Sequence, residues 1–127
     1  MPKGTVVKAA AWLEMVVGVI ILVVPDVPCM LLFGVQAEGV GMPLARFAGV
    51  ALVALGLACL PSTAEGSRRS AVLGLFVFNL GVAVLLAWVA VATILRGFLL
   101  WPAAILHAII AVALLGGTGL RAFAEKQ

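Results

Sequence analysis

The amino-acid sequence predicts an all-α fold: a bundle of four transmembrane helices, with a short interfacial helix between the first and the second. Three observations carry the prediction. Hydrophobic residues fill 65% of the 127 positions and charged residues only 10%, with a mean hydropathy of +1.32, a composition foreign to soluble domains. The apolar residues gather into four long runs, each close to the roughly 20 residues that a helix needs to cross a ~30 Å hydrocarbon core. The charges collect between and beyond those runs, which leaves residues 1–127 as a single integral membrane domain.

The first helix is expected over about residues 5–24, after Lys3 and Lys8. Basic residues before an apolar run also mark a secretory signal, but this run is long and no small-x-small cleavage site directly follows it. The "VQA" of residues 35–37 lies too far on, and in "DVPC" Pro28 stands where a lipid-anchored cysteine would need a small residue. The segment therefore reads as a retained helix. "PDVP", residues 25–28, stops it by removing amide donors and favouring a turn. In "CMLLFGVQAEGVG", residues 29–41, the apolar half is too short to span, so a brief interfacial or re-entrant helix starting at Pro28 is expected, then a Gly-rich turn. The second spanning helix takes residues 42–60, and "PSTAEGSRRS", residues 61–70, is a polar loop. The third runs over about residues 71–95, with a tight turn at Arg96 and Gly97. The fourth begins near Leu99, accepts Pro102 in its first turn, and ends within "GGTG" at about residue 120, before the polar tail "RAFAEKQ".

Orientation follows from the Lys/Arg bias of short loops. With both termini cytoplasmic, that face holds Lys3, Lys8, Arg68, Arg69, Arg121 and Lys126, against Arg96 alone in the outer loops. Asp26 and Glu38 then fall outside, and Trp101 in the outer aromatic belt. Cys29 and Cys59 lie near opposite faces, which excludes a disulfide between them. The scattered basic residues form no stripe among aromatics, so nucleic acid is excluded as a partner. No internal repeat points to an inverted-repeat transporter.

Each spanning helix carries one strongly polar residue: Glu14, Arg46, Asn79 and His107. At about 1.5 Å per residue, Glu14, Asn79 and His107 lie roughly 12 to 24 Å below the outer surface, and Arg46 about one turn in. Glu14 shares a helix face with Ala10, Ala11 and Gly18, and His107 with Ala103, Ala104 and Ala111. Small residues mark helix contacts in membranes, so both side chains are expected to point into the bundle, and Gly18, Gly49, Gly56, Ala104 and Ala111 are candidate helix-contact positions. Arg46 borders the Gly49 and Gly56 stripe but also Val50 and Val53, and Leu75, Phe76 and Ala83 surround Asn79.

An unpaired charge at mid-bilayer costs about 2.5 to 3.5 kcal/mol on insertion scales. Glu14 and Arg46 are therefore expected to form a buried ion pair; the rival is that Arg46 snorkels to the headgroups and Glu14 carries a proton. His107 is expected to bond a backbone carbonyl or Asn79, the alternative being a proton relay or a metal or haem ligand. One histidine is no metal site, and Met15, Met30 and Met42 with Cys29 lack ligand spacing, so neither metal nor other cofactor is expected. Nucleophile elbow, phosphate-binding loop, dinucleotide fingerprint, HExxH and CxxC are all missing, and so is tyrosine, which argues against soluble-enzyme chemistry.

"LARFAGVALVALGLACL", residues 44–60, and "LLWPAAILHAII", residues 99–110, resemble the small four-helix bacterial inner-membrane proteins called DoxX-like. The resemblance covers the layout of the whole chain. It implies a four-helix bundle in a bacterial inner membrane, sometimes a partner of redox or respiratory enzymes, and carries over no catalytic residues. The small multidrug resistance exporters are similar in length, helix number and an acidic residue in helix 1, here Glu14 in "LEMVVG". The chain departs from them in its second buried charge, its long first outer loop and its lack of a tyrosine near a helix 3 tryptophan motif. The expected function is thus that of a non-enzymatic structural or accessory membrane protein in the lipid bilayer, associating with itself or a partner membrane subunit through small-residue faces. The alternative is binding or transport of a proton, lipid, quinone or small anion at Glu14, Arg46 and His107.

Overall fold

The computed structural model describes residues 3–60 and 65–117. These hold five helices and no strand: α1 (Lys3–Val23), α2 (Asp26–Phe33), α3 (Gly41–Ala58), α4 (Glu65–Ala92) and α5 (Leu100–Gly117). Three stretches are long and apolar enough to cross a membrane, Thr5–Val23, Gly41–Ala58 and Arg69–Ala92; α5 is apolar over the shorter Leu100–Leu115. Large apolar side chains such as Phe47, Val84, Trp88 and Ile109 stand exposed on the outside of the bundle, as suits a protein whose surroundings are hydrocarbon.

α1 packs chiefly on α3, and α4 chiefly on α5. Gly18 meets Gly49 and Ala11 meets Gly56, the antiparallel register of a helix pair. At these points the backbones nearly touch: a Cβ on Gly18 would sit 2.8 Å from the Gly49 carbonyl oxygen, and one on Gly49 2.7 Å from that of Gly18. Only glycine allows such an approach, and the close contact yields dispersion energy where lipid gives no hydrophobic drive. The α4·α5 pair is built differently, with Leu86, Val89 and Ala90 against Leu100 and Ala104.

The two pairs join at three levels. At one end a cluster of Ala10, Ala11, Cys59, Val72, Leu75 and Leu114 draws on α1, α4, α5 and the end of α3. The middle is polar and is described below. At the other end α2 and the segment between α4 and α5 lock together through backbone bonds. The amides of Arg96, Gly97 and Leu99 donate to the carbonyls of Phe33, Leu32 and Leu31 at 3.0, 3.1 and 2.7 Å, satisfying acceptors that the end of a helix leaves without partners. The chain can pass this closely because Gly97 lies against the Leu31 and Leu32 backbone and Gly34 faces the Arg96 carbonyl. Gly34 also ends α2 in the left-handed region, φ 74°.

Several boundaries differ from those expected. α2 begins at Asp26 instead of Pro28; Pro25 precedes it, and the Asp26 carboxylate both favours the positive end of the helix and accepts the Ala37 amide at 3.1 Å. α4 begins at Glu65, so the segment assigned to a polar loop is helical from there on. Glu, Ser and Arg are acceptable helix formers, and polarity there reports water instead of a break. Residues 61–64 lie outside the described residues, as do the expected end of the last helix beyond Gly117, the tail, Arg121 and Lys126. α4 stops at Ala92, three residues early, where the Thr93 hydroxyl donates to the Val89 carbonyl and accepts the Leu95 amide at 3.1 Å, offering the backbone an alternative to the helix. The Arg96 guanidinium turns back to the Ala90 carbonyl, a basic cap on a helix C-terminus.

Candidate functional site

Glu14 on α1, Asn79 on α4 and His107 on α5 meet in the polar middle layer, with apolar clusters on either side. Helical period places them: Glu14 stands one turn beyond the buried Ala10 and Ala11, Asn79 one turn beyond Leu75, and His107 between Ala104 and Ala111. Glu14 is 1% exposed, Asn79 is fully buried, and His107 is half-buried.

Asn79 is the joint. Its Nδ2 donates to the Leu75 carbonyl of its own helix at 2.9 Å and to Glu14 Oε1 at 3.3 Å, which uses both amide hydrogens. The Leu75 carbonyl accepts only, so the amide orientation is fixed and Oδ1 faces His107 Nδ1 at 2.7 Å. That oxygen is an acceptor, so His107 donates from Nδ1, and Nε2 is left as the ring's other nitrogen. Phe78 meets the imidazole edge to face, with ring centroids 6.1 Å apart. Among the described residues no buried side-chain nitrogen or oxygen lacks a partner.

The expected Glu14–Arg46 ion pair is not formed. Glu14 turns to Asn79 inside the bundle, while Arg46 stands exposed on α3 beside the exposed Val50 and Phe47. The reason is rotational: on α3 the buried line is Gly49, Leu52 and Gly56, and Arg46 lies off it. The close approach of α1 to α3 along that line leaves no room for a guanidinium. Gly18, Gly49 and Gly56 all lie between α1 and α3 of the same chain. Ala104 and Ala111 are buried on the inner face of α5.

Chemically, the layer is a hydrogen-bonded tie between three helices. A carboxyl and an imidazole are present, but the group between them is a primary amide, which has no readily exchanged acidic proton and so interrupts a proton path. Open apolar grooves lie elsewhere, one along the outer face of α5 at Ile105, Ile109 and Val112 and one beside α2 at Met30 and Gln36. No group of three His, Cys, Asp or Glu side chains able to hold a metal occurs among the described residues. Cys29 and Cys59 are free thiols, Cys59 buried with Sγ 3.5 Å from the Ala71 carbonyl.

Three features of the site region went unread in the sequence. Asp26 anchors the following loop, Arg96 caps α4, and Phe78 flanks the imidazole. Of these the Arg96 cap had a readable signal, a basic residue just past the end of an apolar helix. Comparison of the chain with family models, with curated proteins and with solved structures finds no match.

Proposed function

We propose that the chain is a four-span membrane protein, with α1, α3, α4 and α5 crossing the bilayer and α2 lying at the interface, and that it serves as a structural or accessory component instead of an enzyme. α5, about 27 Å long at 1.5 Å per residue, spans with modest local thinning of the bilayer. The charge bias places both termini in the cytoplasm, in the manner of the DoxX-like bacterial inner-membrane proteins that the sequence resembles. Association with a second copy or a partner membrane subunit takes place within the bilayer, because the loops are short. The small residues between α1 and α3 are already occupied, so contact falls to the outward faces.

The observation that carries this reading is the buried, mutually satisfied Glu14–Asn79–His107 layer. Such a network in hydrocarbon fixes which helices meet, since mispairing would strand polar groups. The alternative, a binding or proton-coupled transport protein, draws on one observation, the half-buried state of His107. Reconstituted vesicles with a pH-sensitive dye separate the two. The structural reading expects no proton flux beyond that of empty vesicles, in the wild type and in Glu14→Gln alike. A flux in the wild type that Glu14→Gln abolishes would contradict it.

A further inference from the structure

Two arginines lie toward the α2 end of the bundle, and the protein uses only one of them. The Arg96 guanidinium is spent on the Ala90 carbonyl at the end of α4. The Arg46 guanidinium has no hydrogen bond or ion pair with any described residue, and the carboxylate expected to take it is bound to Asn79. It is not at a helix end in water. It sits five residues into the apolar α3, about 7.5 Å from its start, on a face with the exposed Pro43 one turn before it and the exposed Val50 one turn after, and with the exposed Phe47 beside it. That face, by the four-span reading on which this inference rests, looks at lipid.

We infer that Arg46 is a binding site for a phosphodiester headgroup of an anionic phospholipid in the adjacent leaflet. A guanidinium at this depth reaches the headgroup layer with its stem turned back over the preceding turn, toward Met42 and Pro43, and a phosphate offers the two-oxygen edge that its forked donors fit. Gly41 at the start of α3 and Gly39 before it carry no side chain and stand in open space, where a Cβ would meet nothing within 4 Å. The bond removes the cost of an unpaired charge in hydrocarbon.

The test is lipid retention by the full-length chain, read by native mass spectrometry after extraction from vesicles of phosphatidylcholine mixed with phosphatidylglycerol. The wild type is expected to enrich phosphatidylglycerol, Arg46→Gln to lose about fivefold of that enrichment, the weight of one basic residue at a membrane surface, and Arg46→Lys to keep part of it. Arg96→Gln should retain lipid as the wild type does. Equal retention by Arg46→Gln, or equal loss in Arg96→Gln, would overturn the inference. So would saturation of the site by inorganic phosphate alone in lipid-free detergent, which would assign it to the free anion, or a crosslink from position 46 to an acidic residue of another chain. Phe47→Cys in a chain carrying Cys29→Ser and Cys59→Ala, labelled with a water-soluble maleimide in intact vesicles, keeps this apart from the spanning reading. Labelling would overturn both, whereas protection together with unchanged lipid retention would overturn the headgroup site alone.

Discussion

The two helix pairs reach close packing by opposite means. α1 and α3 are joined by the absence of side chains, with Gly18 on Gly49 and Ala11 on Gly56, backbone against backbone. α4 and α5 are joined by side chains, Asn79 to His107 in the middle and Leu86, Val89 and Leu100 toward the α2 end. The first pair has no tolerance for added atoms and the second none for lost ones. Glu14 carries the buried hydrogen bond between side chains that links the first pair to the second, and the Cys59 thiol at the end of α3 adds a longer one to the Ala71 carbonyl of α4.

The contrast can be broken first on the α4 side. Asn79→Ala removes the joint, leaving Glu14 and His107 without their partners and a cavity in the polar layer. The expected loss is about 2 to 4 kcal/mol of stability, measured by reversible unfolding in mixed detergent micelles. A loss no greater than that of an exposed substitution would mean that the layer is not holding the helices.

Smaller, and of the other kind, is the effect of adding a methyl group to the α1·α3 contact. Gly18→Ala and Gly49→Ala each force the two backbones apart, and are expected to cost about 1 to 3 kcal/mol in the same assay. The matched control lies on α4, where a Cβ on Gly81 would meet nothing within 4 Å. Gly81→Ala should therefore be neutral or gain up to about 1 kcal/mol from helix propensity. If all three alanine variants shifted stability in the same direction, the distinction between the pairs would collapse.

Much of this fold is legible in the sequence because the length of an apolar run is a direct physical requirement on a spanning helix. α1 and α3 fall within a few residues of their expected bounds. The start of α4 was not legible, since Glu65 to Ser70 are polar without being helix breakers, and polarity alone does not separate a loop from a helix emerging into water. At the site, the small neighbours of Glu14 and His107 signal an inward face, and burial of Ala11, Ala104 and Ala111 goes with it. At Arg46 the sequence leaves two directions open, the Gly49 and Gly56 stripe or the Val50 and Val53 side: a buried charge needs an acceptor, but rotation about α3 decides whether it is buried at all, and the structure turns Arg46 outward with Val50. The central place of Asn79 had no comparable signal, because Leu75, Phe76 and Ala83 around it fit an inner or an outer face, and only assembly of three helices shows what its amide joins.

The most direct test is a double-mutant cycle across the buried Glu14–Asn79 bond between the pairs, using Glu14→Leu, Asn79→Leu and both together. The account predicts non-additive losses, with a coupling of about 0.6 to 1.7 kcal/mol, the range for hydrogen bonds between membrane helices, while the corresponding cycle between Glu14 and Arg46 is additive. Additive losses at Glu14 and Asn79, or a coupling found at Glu14 and Arg46 instead, would contradict it.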